Sequence, residues 1–132
     1  MGAHLVHYDP PRPYARGSRV GDLVFLAGET GTDGHTGHLV EGGIAEQSEQ
    51  AFRNLRESMD TFSLGWDDLV RMDVFLTDSA HIEPFMKVLR THMPGGSPPG
   101  ALVCVTELAH AGMLVEIECI GAIPDGNGGR TT

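Results

Sequence analysis

The sequence predicts an α+β fold with two helices packed on one face of a single sheet. One observation is the hydrophobic period: apolar residues recur every three or four positions in two segments and alternate in others. The second is the order of these segments, β-β-α-β-α-β-β, within 132 residues, a length typical of one domain. We therefore expect a single domain over residues 1–124 and a disordered polar tail over residues 125–132.

The first half of this order contains two strands and a helix. Tyr14–Val20 can be extended, and the turn signal Gly21-Asp22 separates it from the short apolar strand Leu23–Ala27. A loop rich in Gly, Asp, Thr and His follows, from Gly28 to Gly37. From Ile44 the period changes, and an amphipathic helix of about 18 residues is expected. Its apolar stripe comprises Ile44, Ala51, Phe52, Leu55, Met59 and Phe62.

The second half adds a strand, a helix and two further strands. Residues 70–77 alternate in polarity, which is strand spacing. The second helix should begin near Ile82, because Pro84 is tolerated only in a first turn. Residues 101–107 and 114–122 are expected to form a hairpin that pairs Val103 with Cys119. In that register Leu102 and Cys104 share the helix-free face with Glu116 and Glu118, and the two cysteines point to opposite faces.

Composition and charge exclude several classes of function. Eighteen acidic residues against nine basic ones give a net charge of −9, which disfavours binding to a phosphate backbone. No apolar run approaches the roughly 20 residues that a membrane-spanning helix needs. No targeting segment is evident at Met1–Val6, so we expect a cytoplasmic protein without nucleic-acid or membrane partners. His35 and His38 lack a third ligand at regular spacing, so no metal site is predicted.

Short motifs run from about Tyr14 to Ala122. Each is weak alone, but their common order and spacing are specific enough to indicate a protein family. They are Pro13-Tyr14, Gly21-Asp22-Leu23-Val24-Phe25, Ala27-Gly28-Glu29, Thr36-Gly37, Gln47 to Leu55, Asp67-Asp68-Leu69-Val70-Arg71, Val74-Phe75-Leu76-Thr77-Asp78 and Leu114-Val115-Glu116-Ile117-Glu118. On these residues the chain resembles the reactive intermediate deaminase family, RidA, also called YjgF. The resemblance implies a chorismate-mutase-like fold, a homotrimer and clefts between subunits that hydrolyse imines and enamines without a cofactor. Apolar residues on the helix-free face, which a monomer would leave uncovered, also favour an oligomer.

The resemblance also implies site residues. Glu116 matches the glutamate that positions or activates water, Tyr14 the tyrosine that lines the cleft, and Gly28 a glycine whose N–H approaches the ligand. Glu29 stands where many members have glutamine, and its charge would work against an anionic substrate. Leu102 and Cys104 are further candidates for the cleft wall, because the expected hairpin places them on the same face as Glu116.

The chain departs from the family pattern at one position. Members of the family carry a Pro-x-Arg-Ser stretch whose arginine clamps the substrate carboxylate, and Gly100 stands at that arginine's position. Arg16, two residues beyond Tyr14, is ranked above Arg71 as a replacement anion anchor, because Arg71 shares a strand face with Asp73.

Two function classes remain open at this point. One is a trimeric catalyst acting on a small reactive metabolite, with Glu116 as acid or base; the absent arginine makes standard 2-aminoacrylate hydrolysis doubtful. The other is a non-catalytic metabolite-binding or protein-interaction trimer. A ribonuclease is disfavoured by the acidic charge.

Overall fold

The computed structural model describes residues 2–124, so the tail expected over 125–132 lies outside the described residues. Within residues 2–124, two helices pack on one mixed sheet, as the sequence predicts. A short 3₁₀ turn at Trp66–Asp68 precedes the strand Leu69–Leu76, and another at Ser79–His81 precedes the second helix. The elements are β1 (His4–Val6), β2 (Gly17–Val20), β3 (Leu23–Leu26), β4 (Glu29–Thr30), α1 (Ile44–Thr61), β5 (Leu69–Leu76), α2 (Ile82–His92), β6 (Leu102–Cys104) and β7 (Val115–Ala122).

Helix α1 has the predicted start and length. The Glu46 side chain accepts a 2.8 Å hydrogen bond from the Gly43 N–H, which ties down the first turn. Phe52, Leu55 and Met59 lie on its apolar stripe and are fully buried. Burial of such side chains contributes about 1.5–3 kcal/mol each, so this stripe fixes the helix against the sheet.

Helix α2 begins at Ile82 and packs beside α1. Pro84 is its third residue and falls in the first turn, where a missing N–H breaks no helical hydrogen bond. Phe85 is fully buried, and its ring stacks on Phe52 of α1 with the centroids 5.8 Å apart. The two helices therefore share one core on one face of the sheet.

The last strand of the chain lies in the interior of the sheet. The strand order is β1-β2-β3-β7-β5-β6, and β4 also pairs with β7, beyond the end of β3. All pairs are antiparallel except β5 with β6, which are parallel. Strands β1 and β4 were not expected from the sequence, because each is only two or three residues long.

The predicted hairpin between the last two strands is wrong. β6 pairs with β5, as Val74 with Leu102 and Leu76 with Cys104, and β5 separates it from β7. Leu102 therefore lies on the helix side, where it packs against the core, and Cys104 shares that side. Polarity alternation indicates which face a residue takes, but it does not identify the neighbouring strand.

The cysteine geometry changes with this register. Cys119 pairs with the buried Met72 and is itself buried on the helix side, so the two cysteines do not point to opposite faces. Both are free: Cys119 lies inside the core and Cys104 is exposed on β6, at the edge of the sheet.

The helix-free face of the sheet carries apolar side chains that the single chain leaves uncovered. Phe25 pairs with Ile120, and Phe75 lies between Val103 and Glu116. Phe25 and Val103 are 43% and 40% exposed. Large apolar side chains grouped on one face of a sheet are typical of an interface.

Candidate functional site

A cleft of about 970 Å³ opens beside β4, between the N-terminal segment, the loop after β4 and the segment before β7. Five of the residues singled out from the sequence line it: Tyr14, Arg16, Gly28, Glu29 and Glu116. Gly100, Leu102 and Cys104 do not line this cleft within the described chain. Leu102 and Cys104 lie on the helix side of the edge strand β6, whereas Glu116 of β7 lies on the helix-free face.

Glu116 and Gly28 meet at the floor of this cleft. Glu116 pairs with Thr30 of β4 and Phe75 of β5, which places its side chain on the helix-free face as predicted. A β-carbon at residue 28 would collide with Oε2 of Glu116 and would lie 2.9 Å from its Cδ. Gly28 therefore leaves room for this carboxylate, and the ligand contact that the resemblance implies for its N–H stays a prediction.

The surroundings of Glu116 favour its protonated form. Partial burial raises the pKa of this carboxyl above its usual range, and the negative charge of Glu118 raises it further. Both effects disfavour the ionised form, the first by removing water and the second by repulsion between like charges. A raised pKa makes this carboxyl a stronger base when ionised and keeps its proton available at a higher pH than that of an ordinary glutamate.

Glu29 is an internal group of the cleft wall rather than an open charge. It pairs with Ile117, so its side chain points to the helix side, and it is only 3% exposed. The Tyr8 hydroxyl donates to Glu29 Oε2 at 2.6 Å, and the Ser58 hydroxyl donates to the same oxygen at 3.3 Å. These donors replace the water that burial removes.

Burial and charge act on Glu29 in opposite directions. Burial is the largest effect and raises the pKa of its carboxyl, whereas the Tyr8 hydrogen bond and the Arg12 and Arg16 charges lower it. The pKa of Tyr8 is strongly raised, first by burial and then by the Glu29 charge. Tyr8 therefore stays protonated and serves as a donor at physiological pH.

Two arginines flank the Tyr8 ring but have different partners. Arg16 donates from Nε to Ser58 Oγ at 3.0 Å, and its Nη2 lies 3.7 Å from Glu57 Oε2. Arg12 lies over the Tyr8 ring, 3.8 Å from its centroid, with Nη1 3.5 Å from the Tyr14 hydroxyl. Arg16 is thus engaged with protein groups, whereas Arg12 makes no ion pair among residues 2–124.

Arg71 has the structural partner that its position suggests. Its Nε and Nη2 donate to the two oxygens of Asp73 at 2.9 and 3.0 Å. Asp73 also accepts the Ala101 N–H at 2.8 Å, and this bond together with Arg71 lowers the pKa of the Asp73 carboxyl. The pair therefore fastens the segment before β6 to β5.

Gly100 is required by the close approach of this segment to β5. The Met72 N–H donates to the Pro99 carbonyl at 3.1 Å, and the Val74 N–H donates to the Ala101 carbonyl at 2.9 Å. Between them, a β-carbon at residue 100 would overlap the carbonyl oxygen of Met72 and lie 2.6 Å from its carbonyl carbon. No side chain fits there without moving the backbone, so an arginine cannot simply be restored at this position.

Sequence reasoning missed several residues that build the site. Tyr8 and Arg12 precede the first expected strand, and Ser58 lies within the predicted helix without a motif that marks it. Asn54 of α1 donates to the carbonyls of Thr30 and Thr32 at 2.9 and 2.7 Å, which anchors the loop after β4. A detectable signal existed: uncharged polar residues recur at helical spacing beside the apolar stripe of α1, and all are buried: Gln47, Gln50, Asn54 and Ser58.

The described part of the chain offers no group of three or more His, Cys, Asp or Glu side chains positioned for a metal ion. His35 and His38 are exposed at the rim of the cleft. No helix within residues 2–124 combines the length and apolar character required to cross a bilayer.

Comparisons with known proteins agree with the resemblance seen in the motifs. A family model described as endoribonuclease L-PSP matches residues 6–123. The 2-iminobutanoate/2-iminopropanoate deaminase of Mus musculus is 31% identical over 108 residues, covering 82% of this chain and 79% of that protein. Protein HMF1 of Saccharomyces cerevisiae is 30% identical over 112 residues, 85% of each chain.

A solved structure extends the likeness to three dimensions. The crystal structure of RidA from the Antarctic bacterium Psychrobacter sp. superimposes with a TM-score of 0.79 at 31% identity, covering 85% of this chain and 89% of that one. The sequence motifs, the sheet with its two helices and these matches lead to one assignment. The chain belongs to the endoribonuclease L-PSP family, the group of proteins also known as RidA or YjgF.

Proposed function

We propose that this protein hydrolyses a small imine or enamine, with Glu116 as the acid–base group. The observation that carries the proposal is the Glu116 carboxyl itself, which lies in the cleft against Gly28 with a raised pKa. The deaminase name of the mouse relative supports the reaction class. Imine hydrolysis requires a proton donor and a proton acceptor near the same carbon, and one carboxyl can serve both steps in turn.

The reaction balances without a cofactor. A water oxygen adds to the imine carbon while one proton from the water passes to the Glu116 carboxylate, and Glu116 gives this proton to the imine nitrogen to form an aminoalcohol. The hydroxyl proton of the aminoalcohol then passes to the Glu116 carboxylate as the carbonyl forms. Glu116 transfers this second proton to the nitrogen as the carbon–nitrogen bond breaks, so that ammonia and a carbonyl compound leave and Glu116 returns to its starting state.

The proposed active form is a homotrimer with its clefts between subunits. The apolar helix-free face, which includes Phe25 and Val103, would be covered by neighbouring copies. Glu116 lies on this same face, so assembly would bring a second chain near the cleft and reduce its access to water. Removal of water strengthens the electrostatic interactions on which acid–base chemistry depends.

The test follows the loss of 2-iminopropanoate, generated enzymatically from an amino acid, in the presence of the protein. Glu116→Gln should lower kcat/KM by about 10²- to 10⁴-fold, because the amide cannot transfer the proton. Glu107→Gln removes an exposed carboxylate that does not line the cleft, and should leave the rate unchanged. Equal rates for wild type and Glu116→Gln would contradict the proposed role of Glu116.

A second candidate function is a metabolite-binding trimer without catalysis. The specific observation in its favour is Gly100, where the family arginine is absent and cannot be accommodated. Absence of turnover across several imines, together with binding of small carbonyl compounds in the cleft, would support this candidate over the deaminase.

A further inference from the structure

We propose that Arg12 is the anion-binding residue of the cleft and selects ligands that carry a carboxylate. The proposal takes its ligand class, small 2-oxo and 2-imino acids, from the proposed function. Its structural support is a difference between the two arginines of the cleft. Arg12 and Arg16 both line the cleft, and they differ in how much of their hydrogen-bonding capacity the protein already uses.

Arg16 is a structural cation. Its Nε is bonded to Ser58, its Nη2 faces Glu57, and its side chain is only 19% exposed. Through Ser58 it connects to the buried Glu29, so it helps to compensate that carboxylate. A ligand would have to compete with these contacts in order to use Arg16.

Arg12 is held in place without being neutralised by direct contact. Its guanidinium rests on the face of the Tyr8 ring, which attracts a cation without consuming an N–H group, and Nη1 makes only a long hydrogen bond of 3.5 Å to the Tyr14 hydroxyl. No carboxylate among residues 2–124 lies within ion-pair distance of it, and Glu29 acts on it only through space. In a chain with a net charge of −9, such a cation in a cleft is unusual.

Two contacts and two prolines constrain the platform beneath Arg12. The Tyr8 hydroxyl is fixed by Glu29 at 2.6 Å, and the Tyr8 ring meets Tyr14 edge to face at 5.8 Å. Pro11 and Pro13 flank Arg12 and limit the backbone angles of this segment. A guanidinium held in this way loses little conformational freedom when it binds a carboxylate in a bidentate manner.

The neighbours of Arg12 complete an anion pocket. The exposed Tyr14 places its hydroxyl beside Nη1, where it can donate to an anion. A β-carbon at Gly34 would lie 3.9 Å from Nη2, so the loop after β4 passes close to this nitrogen. Glu116 lines the same cleft, so Arg12 and the proposed acid–base group share one binding space.

Binding of pyruvate tests the proposal independently of turnover. Pyruvate is the product of 2-iminopropanoate hydrolysis, and pyruvamide is its neutral analogue. By NMR titration, wild type should bind pyruvate more tightly than pyruvamide. Arg12→Ala should weaken pyruvate binding by about 10- to 100-fold and change pyruvamide binding by less than about twofold, because only pyruvate presents a charge.

Two further variants and a control sharpen the test. Arg12→Met keeps an unbranched stem over Tyr8 and should weaken pyruvate binding like Arg12→Ala, whereas Arg12→Lys should restore part of it. Arg90→Ala removes an arginine of α2 that is paired with Glu83, and should bind both ligands as wild type does.

The outcomes separate this inference from the proposed function. Wild type that does not prefer pyruvate, or Arg12 variants that weaken both ligands equally, would overturn the anion site whatever the imine assay shows. Failure of both Arg12→Ala and Arg12→Met to fold would make Arg12 a structural residue and also overturn it. Arg12-dependent pyruvate binding without imine turnover would support the anion site and contradict the proposed catalysis.

Discussion

The carboxylate of Glu116 occupies the space that a side chain at Gly28 would fill. A β-carbon at residue 28 would stand 2.9 Å from Cδ of Glu116 and collide with Oε2. The two residues come from neighbouring parts of the sheet, Gly28 just before β4 and Glu116 near the start of β7. The position of the candidate acid–base group therefore depends on the absence of a side chain on another segment.

Gly28→Ala should displace the Glu116 carboxyl and reduce imine hydrolysis even though residue 116 is unchanged. We expect kcat/KM to fall by about 10²-fold or more, since small displacements of a catalytic group are costly. Gly95→Ala is the control, because a β-carbon at Gly95 meets no atom within 4 Å. Full activity of Gly28→Ala would show that the carboxyl can act from another position.

Because the pKa of Glu116 is raised, its ionisation should lower the stability of the folded state. The folded protein binds this proton more tightly than the unfolded chain, so stability falls as pH rises from about 4.3 to the folded pKa, and stays lower above it. Glu116→Gln is neutral throughout. Its melting temperature relative to wild type should therefore rise with pH across that window, whereas a difference independent of pH would contradict the raised pKa.

Tyr8→Phe should destabilise the protein because it leaves the buried Glu29 carboxylate without its shortest hydrogen bond. Bonds to buried charged groups contribute about 1.5–3 kcal/mol, and we expect a loss of this size in urea unfolding at neutral pH. The loss should shrink in acid, where Glu29 becomes protonated. Tyr14→Phe is the matched control: this hydroxyl is on a 53% exposed residue, and its removal should change stability by less than about 0.5 kcal/mol.

Gly100→Arg should fail to restore the family arginine. The new β-carbon would overlap the carbonyl oxygen of Met72, so β5 and the segment before β6 would have to separate. We expect a loss of about 1–3 kcal/mol in unfolding free energy without a gain in imine hydrolysis. Gly100→Ala should show a similar loss, because the clash involves the β-carbon alone. A stable Gly100→Arg variant with raised activity would contradict this account.

Phe25→Glu should disrupt the proposed trimer by placing a charge on the apolar helix-free face. Light scattering at micromolar concentration should report the mass of a trimer for wild type and a smaller species for the variant. Ala45→Glu introduces the same charge at an exposed position of α1 and should leave the trimer intact. A monomeric wild type would contradict the assembly itself.

The helices were predictable from the sequence because their signals are local. The stripe that includes Phe52 and Leu55 has one period over 18 residues, and Pro84 marks the start of α2. The partner of β6 was not predictable, since alternation is equally compatible with either neighbour. The face of Glu116 was predicted correctly nonetheless, because the parity of β7 does not depend on which strand lies beside it.

The site was predictable where a motif, or the spacing from a motif residue, indicated it. Tyr14, Gly28, Glu29 and Glu116 were singled out through the family resemblance, and Arg16 by its spacing from Tyr14. The structure places all five along one cleft. The Tyr8–Glu29 contact joins residues 21 positions apart through the fold, and no pattern along the chain reports such a pair. The collision at Gly100 likewise depends on the distance between two backbones, which residue types do not reveal.

Because β7 lies in the interior of the sheet, the sheet can close only late in synthesis of the chain. A ribosome must release residues 115–122 before β3 and β5 acquire their common neighbour, so a nascent chain that ends earlier has two separate strand groups and no complete sheet. Because β7 also carries Glu116, the candidate acid–base group is delivered in the same step that closes the sheet. Truncated translation products therefore lack both a finished core and this carboxyl.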